Sequence, residues 1–249
     1  MQQSRVGIGE NVKTNKILAK MREGELAYGY SLNFPSPTVI ELMGQADFDY
    51  VWLDGEHGPF TPETIEELCR VADLTGVTPI ARVPDISSAT ILRFLDRGIM
   101  GIQGPHIRSG EEAQALADAC RFAPTGKRSF GYGLRSVPPP ISAPEFMAQL
   151  NAEVLVIAMI EDVEAIENLP DLLRVDGIDL FTVGAFDLSQ SMGVPGQSTH
   201  PTVLNAVAEV EKQVHAAGRK MVSDVMMATS ATGLLLEGAR AFLNQNKTA

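Results

Sequence analysis

Short apolar runs alternate with amphipathic stretches along the whole chain, and some of the runs are apolar at nearly every position. The plainest is AEVLVIAMI (152–160). A strand apolar at consecutive positions has both faces covered, which is the pattern of a parallel sheet with helices packed over it. Strands are predicted over 26–32, 49–54, 78–84, 99–105, 152–160, 177–184, 220–225 and 239–243. Between them, helices are predicted near 13–22, 37–46, 61–76, 87–98, 109–122, 144–151, from 162, 187–192, 201–217 and 228–238. The helix at 61–76 carries clear punctuation: Thr61 before Pro62 and Glu63 at its start, Gly76 at its close. Eight strand–helix units in 249 residues predict an α/β fold, a (β/α)8 TIM barrel forming one domain over 1–249. A doubly wound open sheet is the alternative, but the first turn, SLNFPSPT, has no glycine-rich phosphate fingerprint. NQNKTA follows directly on the eighth strand candidate, so the usual last helix is expected to be missing.

The net charge of -11 argues against nucleic acid or an anionic membrane as a partner, since both are bound by clustered Lys and Arg. An anionic substrate is still compatible, because a metal ion or one arginine reverses the local field. Cys69 and Cys120 both fall inside predicted helices, as buried thiols in a reducing compartment do. The first residues are polar, without a signal-peptide apolar core, and no apolar run approaches the roughly 18 residues of a membrane span. A cytoplasmic location is expected.

In a barrel of this kind the chemistry gathers where the strands end. Asp54, Glu56 and His57 follow the second strand candidate, Arg82 closes the third, and Gln103-Gly104-Pro105-His106 the fourth. Glu161 follows the fifth, Gly184-Ala185-Phe186-Asp187 the sixth, and Ser223-Asp224 the seventh, where Asp224 reads as structural. Single carboxylates after strands are often helix caps. Independent caps, however, do not call for a histidine and an arginine at the same rim. Glu161 and Asp187 on neighbouring strands suit a hard divalent cation that keeps water in its other positions, and such a cation acts as a Lewis acid on a carbonyl. Arg82 can meet negative charge as it builds on that oxygen. His57, oriented by Asp54, is a general acid/base candidate. The lysines stand at 13, 16, 20, 127, 212, 220 and 247, and none closes a predicted strand at the rim. A Schiff-base mechanism is therefore disfavoured and a metal-assisted enolate favoured.

These segments resemble the HpcH/HpaI aldolase/citrate lyase superfamily, specifically its metal-dependent pyruvate aldolases, of the 4-hydroxy-2-oxoheptanedioate aldolase type. The resemblance runs from about 11 to 243 and rests on FDYVWLDGEHGPF, TPIARVP, GIMGIQGPHIRSGEEA, APTGKRSFGYG, IEDVEAIENL and GIDLFTVGAFDLSQSMG. It implies cleavage of a 4-hydroxy-2-oxo acid to pyruvate and an aldehyde. By the same resemblance His57 is the catalytic histidine, with Asp54 supporting it. Arg82 binds the keto oxygen, Glu161 and Asp187 are the metal ligands, and the turn at Gly184, Ala185 and Phe186 receives the pyruvate carboxylate. Arg128 belongs to a loop that in relatives approaches a neighbouring active site. The implied cofactor is Mg2+, Mn2+ or Co2+, and the implied assembly a homo-oligomer, a hexamer built as a trimer of dimers.

Three departures stand out. Met159 occupies a position where many relatives carry Gln, Gly104-Pro105-His106 replaces a common Val-Pro, and the last helix is not evident. Gly104 is expected to add room at the rim, and with Phe34 to favour an acceptor other than a dicarboxylate. The alternatives are a CoA-thioester lyase of the citrate lyase branch, an oxaloacetate decarboxylase, and a catalytically weakened binding protein on the same barrel. The 123–143 segment, rich in Gly, Pro and Arg, is expected to be a functional loop.

Overall fold

A computed structural model describes residues 12–131 and 141–247. The chain opens with α1 (Lys16–Glu23) and continues β1 (Ala27–Leu32), α2 (Pro37–Gln45), β2 (Tyr50–Asp54), α3 (Pro62–Thr75), β3 (Thr78–Arg82), α4 (Ser88–Asp96), β4 (Gly101–Gly104) and α5 (Gly110–Cys120). After α6 (Ala143–Glu153) come β5 (Leu155–Ile160), α7 (Val163–Glu167), α8 (Leu169–Leu172), β6 (Leu180–Val183), α9 (Ala185–Ser191) and α10 (Pro201–Ala216). β7 (Met226–Ser230) and α11 (Ala231–Asn246) complete it. All strand pairs are parallel, in a seven-stranded sheet of order β6-β5-β4-β3-β2-β1-β7.

The C-terminal part differs from the sequence expectation. Residues 220–225, predicted as a strand, contribute one parallel bridge, Phe181 to Met221, and a 3-10 turn over Val222–Asp224. Residues 226–230 are the strand and 231–246 the helix, so the predicted strand at 239–243 lies inside α11. The last helix expected to be missing is present. The periodicity of 228–238 is that of a helix, but Ser230 accepts a hydrogen bond from the Gly233 N–H as N-cap and so sets the helix start at Ala231, three residues later. Ala239, Arg240 and Ala241 are strong helix formers, and Gly238 does not stop the helix.

Side-chain alternation divides the sheet into two faces. Val51, Leu53, Ala81, Val83, Ile102, Val156, Ala158 and Ile160 join the helix residues Ile40, Leu68, Ile91 and Leu116 in one core on the outer face. Tyr50, Ile80, Leu155, Ile157 and Leu180 point to the other face and form a second core with Ile17 and Leu18 of α1. α1 thus plugs the end where the strands begin. Asn15 holds it there: its buried Nδ2 donates to Met100 O (2.9 Å) and Glu153 O (3.2 Å), just before β4 and β5, while its Oδ1 accepts from the N–H groups of Ile17 and Leu18. Tyr50 fills the interior opposite β1 only because residue 29 is glycine, since a Cβ there would collide with the Tyr50 ring. Among the described residues no helix is long and apolar enough to cross a membrane.

Asn15→Ala removes the cap and strands two buried carbonyls, and should lower unfolding free energy by about 2–3 kcal/mol. Urea denaturation followed by circular dichroism checks this; an unchanged midpoint would mean that the α1 plug is held by apolar contacts alone.

Candidate active site

Because the lower interior is apolar, the next inward positions along each strand reach the opposite rim. Counting by twos from Tyr50 passes Trp52 to Asp54; from Ile80 it reaches Arg82; from Ile157 it passes Met159 to Glu161. Asp54, Arg82 and Gln103 stand directly opposite one another in the ladders of β2, β3 and β4, so they form a row. All three are buried, as is Glu161.

The Arg82 guanidinium is shared between two carboxylates. Nε and Nη2 donate to Asp54 (2.9–3.1 Å), and Nε lies 3.1 Å from Glu56 Oε2. Its plane lies 5.3 Å from the Trp52 ring centroid. None of these bonds uses Nη1. Trp52 Nε1 donates to Gln103 Oε1 (3.0 Å), and Gln103 Nε2 faces Met159 Sδ at 3.1 Å, which makes a stacked floor beneath the rim.

The histidine stands differently from the sequence expectation. Asp54 accepts from the backbone N–H of His57 (3.3 Å) and gives its remaining capacity to Arg82, so it anchors the turn rather than the imidazole. The His57 ring is 65% exposed, and its Nε2 is 3.8 Å from Glu56 Oε2. Glu56 is thus the carboxylate between the two groups.

Glu161 is 1% exposed. Its Oε1 accepts the backbone N–H of His106 (2.8 Å), whereas Oε2 is buried without a hydrogen-bond partner. Burial pushes its carboxyl above the usual range; the His106 amide and imidazole oppose this, and the charges of Asp187 and Glu56 add to it. Two anions pressing on a third buried one, with an oxygen left bare, is an arrangement that a cation relieves. Asp187 lies in the first turn of α9, whose N-cap, Gly184, provides no side-chain cap. A Cβ on Gly184 would collide with Glu161 Oε2, so glycine is required for the carboxylate to occupy its place. Gly184 is buried, Ala185 is half-buried and Phe186 is 69% exposed. Among the described residues no cluster of three or more His, Cys, Asp or Glu side chains forms a ready-made metal cage. Glu161 and Asp187 are a two-carboxylate set, which fits a hard divalent ion that takes its remaining ligands from water and substrate.

The structure brings Asp54, His57, Arg82, Glu161, Gly184, Ala185, Phe186 and Asp187 to one rim. It does not bring Arg128 there. Arg128 pairs with Asp96 at the end of α4 (2.9 Å) and stacks on Phe122 (4.6 Å), near Arg121, which binds Asp179 at the start of β6. That is the plugged end of the sheet, so Arg128 has no contact with the site of its own chain. Gly104 is also corrected: a side chain there would meet Leu116 and Ile86 under α5, so the glycine gives room to helix packing and none to the rim. Of the expected 123–143 loop, residues 132–140 lie outside the described residues. Glu56 and Gln103 stand at the strand ends in the sequence with no role given to them, and Asp162 goes unnamed there. A polar residue at an inward position of an otherwise apolar strand is the signal that finds Gln103.

The family model described as HpcH/HpaI aldolase/citrate lyase matches residues 29–245. A 4-hydroxy-2-oxovalerate aldolase of Novosphingobium aromaticivorans is 32% identical over 82% of this chain and 78% of its own length. A hydroxypyruvate/pyruvate aldolase of Roseobacter denitrificans is 30% identical over 87% of this chain and 86% of its own length. The crystal structure of an HpcH/HpaI aldolase from Desulfitobacterium hafniense superposes with a TM-score of 0.84 at 25% identity, covering 93% of this chain and 96% of that one. The chain belongs to the HpcH/HpaI aldolase/citrate lyase family.

Proposed function

We propose that this enzyme is a divalent-metal-dependent aldolase. It cleaves a 4-hydroxy-2-oxo acid to pyruvate and an aldehyde, and catalyses the reverse addition. The observation that carries this is the bare, buried Oε2 of Glu161, pressed by the charge of Asp187 at the rim that also holds Arg82 and His57. The names of the aldolase relatives support it.

Glu161 and Asp187 would hold the ion, Mg2+, Mn2+ or Co2+. When bound, it supplies Lewis-acid polarisation of the 2-oxo group. The uncapped turn at Gly184, Ala185 and Phe186 receives the substrate carboxylate with the N–H groups of Ala185 and Phe186, the Gly184 N–H being given to Ile160 O (3.0 Å). His57, exposed and beside Glu56, accepts the C4 hydroxyl proton directly or through one water. The C3–C4 pair then moves toward C2, the aldehyde leaves, and charge grows on the C2 oxygen. Arg82, fixed by Asp54 and Glu56, offers Nη1 to that oxygen without having to reorganise. His57 returns a proton to C3, which balances the reaction. The Trp52–Gln103–Met159 floor keeps water away from beneath the reacting carbons.

For the architecture, we propose closure as an eight-stranded barrel of one domain. The 220–225 segment would fill the eighth place beside β6, supported by the Phe181–Met221 bridge and the Phe181 N–H to Lys220 O bond (3.0 Å). We also propose a homo-oligomer. Leu235 and Phe242 of α11 are 71% and 65% exposed, with Leu236 and Leu243 beside them, and β7 is exposed from Met227 onward. A second copy would cover this surface.

His57→Ala should lower pyruvate release, followed with coupled lactate dehydrogenase, by roughly 100- to 10,000-fold with pyruvate affinity preserved; normal turnover would remove the proposed proton path. Glu161→Gln should abolish Mn2+ binding in calorimetry and yet raise the melting temperature of the metal-free protein, because a neutral amide is cheaper to bury than an unpaired carboxylate. Its sign with pH is also set: a carboxyl raised by burial stabilises the fold while protonated, so metal-free wild type should lose stability as pH climbs through and above the carboxylate range, and the amide variant should lose less. Phe242→Glu combined with Leu235→Glu should shift the protein to monomers in light scattering after gel filtration; an unchanged mass would place the subunit contact elsewhere.

A further inference from the structure

His106 holds an unusual backbone. Its φ is +50°, in the left-handed region, and it is one of two non-glycine residues with positive φ among those described, the other being Asp47 in the turn after α2. β-carbon crowding disfavours that conformation in any non-glycine residue. Such strain persists only where the surroundings impose it. Here they do. The Ile107 N–H continues the sheet, donating to Met159 O (3.2 Å), while the preceding N–H, that of His106, turns inward to Glu161 Oε1 (2.8 Å). The imidazole is fastened from outside: Nδ1 lies 3.1 Å from Asp162 Oδ2, and Arg108 Nε holds the same oxygen at 3.0 Å. Nδ1 also lies 3.5 Å from Glu161 Oε1, and Nε2 lies 3.9 Å from Glu56 Oε1.

We infer that His106 is the positioning residue of Glu161: its left-handed backbone, clamped by the Asp162–Arg108 pair, aims one N–H at Oε1 and so leaves Oε2 as the single open oxygen of that carboxylate. A carboxylate free to rotate would offer either oxygen, or both. One pinned by a backbone donor offers one oxygen in one direction, which lowers the ordering cost when an ion arrives. The role belongs to the main chain; the ring contacts add to the clamp but are secondary to it, so the N–H stays aimed wherever the left-handed φ is kept. A ring acting by its charge would need no particular φ.

This inference rests on the proposal that Glu161 and Asp187 hold a divalent ion. The test is Mn2+ binding alone, by calorimetry and by electron paramagnetic resonance, on the full chain. Three variants separate backbone from ring. His106→Gly keeps the left-handed conformation available and removes the imidazole. His106→Ala adds only the Cβ that disfavours it, and His106→Val disfavours it more strongly. The glycine variant should bind Mn2+ within about threefold of wild type, and the valine variant about tenfold or more weaker, with alanine between. Should the valine protein fail to fold, the glycine–alanine comparison decides alone. Equal Mn2+ affinity across folded variants overturns the inference and leaves the metal proposal standing. A glycine variant as weak as valine also overturns it, since the ring would then be the agent. A wild-type protein that binds no Mn2+ overturns the metal proposal, and the inference with it.

Discussion

A carboxylate that is 1% exposed, with one oxygen bonded and the other bare, is the interaction around which the rim is arranged. Moving a charge out of water is costly unless it finds partners. The protein gives Glu161 a single firm one, the His106 N–H, and then sets the charges of Asp187 and Glu56 against it. Nearby cations do not cancel this. Arg82 is already held by Asp54 and Glu56, and Arg108 binds Asp162. Negative charge therefore gathers locally around Glu161, opposed within the chain by the His106 amide and imidazole.

The rest of the fold supplies the conditions for that imbalance. Parallel strands place every second side chain on the inner face, and α1 with its Asn15 anchor seals the lower end with Ile17, Leu18, Tyr50, Ile80, Leu155 and Leu180. Further along the strands, past Trp52 and Met159, the inward positions turn polar at Asp54, Arg82 and Glu161. Gly184 lets α9 start hard against Glu161, and Gly29 lets the Tyr50 ring fill the base. Base and rim are thus built by the same strands: apolar residues at inward positions near the start, ionisable ones at inward positions near the end.

Much of this was legible in the sequence. The strand ends named Asp54, His57, Arg82, Glu161 and Asp187 directly, because a strand of known parity delivers its last residues to a known place. Register was not legible. That Asp54 lies opposite Arg82 follows from the pairing of β2 with β3, and it transfers Asp54 from the imidazole to the guanidinium. Chain path between elements was not legible either: within its own chain Arg128 lies at the plugged end, paired with Asp96, and the expectation that its loop approaches a neighbouring active site is not tested by one chain. The 228–243 stretch was misread because small and apolar residues there satisfy both helix and strand patterns, and the deciding signal was one serine cap, Ser230. His106 shows the same limit, since its left-handed backbone is set by contacts with Asp162 and Glu161 that lie more than fifty residues away in sequence.

The most direct measurement is a crystal structure of the full chain soaked with Mn2+ and pyruvate, with anomalous scattering used to locate the ion. The expected result is one peak bonded to Glu161 Oε2 and to the Asp187 carboxylate at roughly 2.0–2.3 Å, with the pyruvate keto oxygen turned toward Arg82. Anomalous density located away from both carboxylates, with Glu161 unchanged and pyruvate bound elsewhere, would contradict it.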